Sequence, residues 1–85
     1  MEVQSLLREI AYMSCTIEIK DERMDLVLEG INISSPDGKT LLIGGNNMLS
    51  MDWDEVKITK VEEEQDTVYS IKDPGRQVYI RVPRI

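Results

Sequence analysis

The sequence predicts an α+β fold that is mostly β: an N-terminal helix packed on a small antiparallel sheet, or a partly closed barrel, of about six short strands. Residues 24–43 spell out a strand, a turn and a strand. An apolar stripe at helical spacing precedes them, and short alternating segments broken by Gly, Pro and Asp turns follow.

The central hairpin is the clearest element. Met24, Leu26 and Leu28 alternate, then Ile31 and Ile33, and Thr40-Leu41-Leu42-Ile43 resumes after Ser35-Pro36-Asp37-Gly38. Pro36 presets φ for the first corner of a type I turn and Asp37 tolerates the second. Gly38 supplies the left-handed residue that closes a three-residue loop. With Ser35 and Lys39 flanking that loop, Ile33 is expected opposite Leu41 and Ile31 opposite Ile43. Apolar parity switches at Gly30, which predicts a bulge or bend at Glu29-Gly30.

The remaining elements follow in order. Residues 2–13 carry Val3, Leu6, Leu7, Ile10 and Met13 on one helical stripe, with Glu2 in the first turn, where the helix dipole favours a negative charge. Strands are expected over 15–20, 24–33, 40–44, 48–53, 56–61, 67–72 and 77–82. Gly44-Gly45-Asn46-Asn47 reads as a hairpin turn, because neither a Lys-Ser/Thr pair nor a helix follows to make a phosphate loop. Asp73-Pro74-Gly75-Arg76 turns the last hairpin, and Pro83 ends its ladder.

At 85 residues the chain reads as one domain, 1–85, with a small core. It has no apolar run of about 18 residues, so no membrane span is expected. A basic n-region followed by an apolar stretch is missing, so no signal peptide is expected either. The lone Cys15 excludes an intramolecular disulfide and reads as a small core residue. These features point to a cytoplasmic protein.

The chain has no histidine, which removes the commonest general base, His-assisted nucleophiles and the usual zinc sets. Asp52 and Asp54 are two apart, as in a calcium loop, but the glycine and distal glutamate of that loop are missing. No enzymatic activity, metal or cofactor is expected. The formal net charge of −6 argues against direct nucleic-acid binding. Tyr79 with Arg81, near Arg76, is the one local stacking candidate, and the overall negative charge favours a solvated strand face over it. Charge is uneven: residues 1–71 hold six basic against fifteen acidic residues, net −9, and residues 72–85 hold four against one, net +3.

Two features favour a protein partner. Met48-Leu49-Ser50-Met51-Asp52-Trp53 combines adaptable methionines with a tryptophan, and Met51 and Trp53 are its contact candidates. Asp52, Asp54, Glu55, Glu62, Glu63, Glu64 and Asp66 form an acidic set. They would cluster at one end of the sheet if the strand over 56–61 runs back on itself. Core packing of Leu49 and Met51 and a solvated acidic rim are the plain alternatives.

Leu6-Leu7-Arg8-Glu9-Ile10, Thr16-Ile17-Glu18-Ile19 and the apolar strand into Asp37-Gly38 resemble the start of a small phage anti-CRISPR protein, over about residues 1–45. The resemblance implies an inhibitor that presents acidic residues where Cas9 reads its PAM. The family's inhibitory acids lie in a later, helical part, whereas this chain reads there as strands, so no functional residue carries over. The expectation is a small acidic protein that inhibits a larger basic, nucleic-acid-binding protein, with a CRISPR nuclease as the most concrete partner. The alternative is a self-assembling structural subunit or barrel-like adaptor joined through sheet edges.

Overall fold

The computed structural model describes residues 1–38, 40–44, 47–50 and 54–84. Helix α1 (Val3–Ile10) buries Leu6 and Ile10, with Val3, Leu7 and Met13 packed against the core beside them. The helix stops three residues before the apolar stripe does. Ala11 is extended (φ −58°, ψ 132°) and Tyr12 is left-handed (φ 64°), and the Met13 N–H donates to the Ile10 carbonyl at 3.2 Å. That is a type II turn with tyrosine at the corner that favours glycine. Glu2 lies outside the first turn, at the N-cap, and its side chain makes no cap bond.

The described residues hold eight strands in two antiparallel sheets, one more than the seven ranges expected. They are β1 (Cys15–Lys20), β2 (Asp25–Ile31), β3 (Ile33–Ser34), β4 (Thr40–Ile43), β5 (Asn47–Ser50), β6 (Lys57–Glu62), β7 (Asp66–Asp73) and β8 (Arg76–Pro83). The larger sheet runs β2-β1-β8-β7-β6 and the smaller β3-β4-β5. Neither closes on itself, so the fold is α+β and mostly β without a closed barrel.

Alternation places the core on one face of the larger sheet. Ile17 pairs with Ile80 and Ile80 with Tyr69; one row along, Ile19 pairs with Val78, Val78 with Ile71 and Ile71 with Ile58. All of these are buried. Ile33, Leu41, Ile43 and Leu49 of the smaller sheet and Leu6 and Ile10 of α1 complete the same cluster. Cys15 is buried within it, and burial pushes its thiol pKa up, away from thiolate chemistry. The outer face of the larger sheet carries the other parity: Thr16, Glu18 and Lys20 on β1, Gln77, Tyr79 and Arg81 on β8, and Lys57 and Val61 on β6.

The expected bulge is present. Cys15 pairs with Ile31 and Ile17 with Leu28, so β2 spends one extra residue at Glu29-Gly30, where Gly30 sits at φ 64°. Just beyond it the single strand read over 24–33 divides. β2 belongs to the larger sheet, β3 to the smaller, and between them the Asn32 carbonyl accepts the Gly44 N–H at 2.9 Å.

The central register differs from expectation. Ile33 lies opposite Ile43 and Ser34 opposite Leu42, two residues from the pairing that a three-residue loop would set. The Asp37 carboxylate accepts the Thr40 N–H at 2.8 Å, while the Gly38 N–H donates to the Ser35 carbonyl. Thr40 is thereby held by its own turn instead of by β3, and the ladder resumes later.

Candidate functional site

The acidic set divides instead of clustering. Six-residue β6 runs straight between its two parts, so Asp54 and Glu55 lie near its start while Glu62, Glu63, Glu64 and Asp66 lie at its end. About 3.3 Å of rise per residue sets these ends roughly 17 Å apart. Met51, Asp52 and Trp53 lie outside the described residues.

Glu55 faces the turn end of the last hairpin, around an open depression of about 450 Å³ lined also by Asp21 and Asp73 to Arg76. There the Asp73 carboxylate accepts the N–H groups of Gly75 (2.8 Å) and Arg76 (2.9 Å) and pairs with the Arg76 guanidinium at 3.2 Å. Burial alone would raise the Asp73 pKa, but these donors together outweigh it and hold the carboxyl below its ordinary value. Arg76 also donates to the Ser50 carbonyl. The polar groups here satisfy one another, which marks a structural turn more than a docking site.

The other end differs. The β6–β7 turn is closed by the Glu63 N–H on the Asp66 carbonyl at 2.8 Å. Arg84 braces it from the end of the chain: its N–H donates to the Gln65 carbonyl (2.8 Å) and its Nη1 to the Glu63 carbonyl (2.7 Å). Arg81 lies 3.7 Å from the Glu63 carboxylate and 4.0 Å from that of Asp66. Glu62, Glu63 and Glu64 are all exposed on this backbone. Basic side chains on and just after the last strand therefore back the turn and offset part of its charge.

The exposure of Tyr12 was not readable from sequence. Its side chain is 99% exposed on the strained turn after α1. That turn leads into Cys15, which pairs at the same end of the larger sheet as Val82 and Thr67, opposite Glu62. Tyr12 and the acidic turn thus lie toward the same end of the larger sheet, beside β1 and β6, with β8 and β7 between them. A non-glycine residue at positive φ is the structural sign; the sequence has no counterpart to it.

Among the described residues, no three acidic or cysteine side chains converge as a metal site would, and no helix is long and apolar enough to cross a membrane. Comparison with protein-family models, curated proteins and solved structures finds no match to this chain.

Proposed function

We propose that this chain is a small acidic protein-binding inhibitor that occupies a basic, nucleic-acid-binding surface of a larger protein. One observation carries the reading: three consecutive exposed glutamates, Glu62 to Glu64, stand on a turn already braced by Arg84 and Arg81. A braced turn loses little conformational freedom on binding, so more of its electrostatic attraction is kept as affinity. Tyr12 supplies an aromatic contact at the same end, of the kind that anchors interfaces. Asp54 and Glu55, at the far end, play no part in this contact. The anti-CRISPR resemblance of residues 1–45 supports a phage-encoded inhibitor of a Cas9-type nuclease as the first partner to test.

The test is competition for DNA. A purified Cas9-type nuclease is titrated with target duplex in the presence of the chain at low and high salt. Wild type is expected to displace the DNA at low salt and lose that effect at high salt. The E62K/E63K/E64K variant should fail under both conditions, and D54K/E55K should behave as wild type. Displacement by the triple variant equal to wild type would overturn the turn as the contact. Failure of wild type would remove this class of nuclease as the partner.

A further inference from the structure

The two edges of the larger sheet are protected very differently. β6 carries Lys57 and Lys60 along its length, and its Ile58 carbonyl accepts the Met1 nitrogen at 3.3 Å. Lysines and a covering segment are the usual means of blocking an edge. β2 has neither lysine nor proline, and it exposes apolar side chains: Met24 just before it is 47% exposed, Leu26 39% and Val27 49%. β5 is an edge of the smaller sheet.

The unpaired backbone groups of β2 can be assigned. The Asp21 N–H donates to the Met24 carbonyl at 3.0 Å, which turns the polar groups of Met24 toward β1. Antiparallel alternation then turns those of Leu26 and Leu28 toward β1 as well, and those of Asp25, Val27 and Glu29 outward.

We propose that β2 pairs antiparallel with β2 of a second copy of this chain, about a twofold axis at Leu26. In this register Leu26 meets its own counterpart and Met24 meets Leu28, so six side chains form one apolar strip continuous with the core face. On the other face Asp25 meets Val27, twice over, so no like charges face each other. A twofold axis keeps paired side chains on the same face, so neighbouring registers move by whole residues. An axis at Val27 sets Asp25 against Glu29 twice, and like charges directly opposite are destabilising. An axis at Leu28 sets Leu26 against Gly30 and draws the bulge into the ladder. Apolar contact, charge and backbone therefore select the same register. The pair builds a ten-stranded sheet whose lysine-bearing β6 edges lie outermost, so the larger sheet does not extend beyond two copies.

Sedimentation velocity from 10 µM to 1 mM and amide hydrogen exchange over the same range test this, with no other macromolecule present. The sedimentation coefficient should rise toward that of a dimer. The Asp25, Val27 and Glu29 amides should gain protection with concentration, while those of Leu26 and Leu28 stay protected throughout. Leu26→Lys, at a position already 39% exposed in the monomer, sets two like charges against each other at the axis and should weaken the dimer at least tenfold. A monomer at 1 mM, or a dimer whose β2 amides and Leu26→Lys affinity are unchanged, would overturn the proposal. The exchange measurement needs no variant, so a misfolded mutant cannot decide the outcome.

Discussion

Lys60 Nζ on β6 donates to Glu9 Oε1 on α1 at 2.5 Å, and the Tyr69 hydroxyl donates to the same oxygen at 3.2 Å. Glu9 is the only acid on the helix, and it lies off the buried stripe. One carboxylate therefore ties the helix to two neighbouring strands, β6 and β7, across their Lys60–Tyr69 pair.

The hydrogen bond from Lys60 is the main reason that the Glu9 pKa is lowered, and the same bond raises that of Lys60. The Tyr69 hydroxyl is raised, chiefly by burial and then by the Glu9 charge. A carboxylate with a lowered folded pKa contributes stability above its unfolded value, about 4.3, and loses it as pH falls through the folded value. The raised lysine contributes below its unfolded value, about 10.4, and loses that as pH rises through the folded value. Glu9→Gln should therefore lower Tm slightly at pH 7, by an amount that shrinks as pH falls below about 4. Thermal melts across pH in low and high salt check this. The pair is about one-third exposed, so high salt should shrink the difference.

Asp73 is better shielded, with its side chain 8% exposed. Asp73→Ala leaves the Gly75 and Arg76 N–H groups without their acceptor and should cost about 1–3 kcal/mol. Asp73→Asn keeps one acceptor oxygen and should cost less. Because the folded pKa of Asp73 is lowered, the difference between wild type and Asp73→Ala should be full above about pH 4 and shrink as pH falls further. Urea unfolding at pH 7, 5 and 3 measures it.

The glycines separate on backbone conformation. Gly30 has φ 64° with nothing within 4 Å of an added Cβ, so Gly30→Ala meets strain and no clash. It should destabilise by about 1–2 kcal/mol. Gly75 is outside the left-handed region, and an added Cβ would meet only Asp73 Oδ1 at 3.8 Å. Gly75→Ala should be neutral or stabilising by up to about 1 kcal/mol. Chemical denaturation of both variants checks the contrast, and equal losses would refute the backbone explanation.

The same contrast shows what a sequence makes legible. The Gly30 bulge was readable because a one-residue insertion reverses which side chains face inward, and apolar parity records that reversal. The Ile33–Ile43 register was not. A shift of two residues leaves Ile33, Leu41 and Ile43 on the same face, so the apolar pattern is identical for both pairings. The deciding contact, Asp37 on the Thr40 N–H, lies in the turn. The acidic set failed as a cluster for a similar reason. Composition shows Glu55 and Glu62 as near neighbours, but a straight strand between them puts them at opposite ends of the sheet.

Tyr12 joins backbone strain to the proposed contact. Tyrosine at the left-handed corner of the turn costs about 1 kcal/mol or more relative to glycine. The side chain is almost wholly exposed, so deleting it loses little packing. Tyr12→Gly should therefore raise stability by about 1 kcal/mol, a Tm increase of roughly 4–8 °C for a chain of this size. If Tyr12 also anchors the partner, the same variant should inhibit at least tenfold more weakly despite its higher Tm. Strain held at a binding residue produces that opposition between stability and affinity. A melt paired with the DNA-competition assay reads both quantities. Higher Tm with undiminished inhibition would make Tyr12 a strained turn residue only, and leave the contact to Glu62, Glu63 and Glu64.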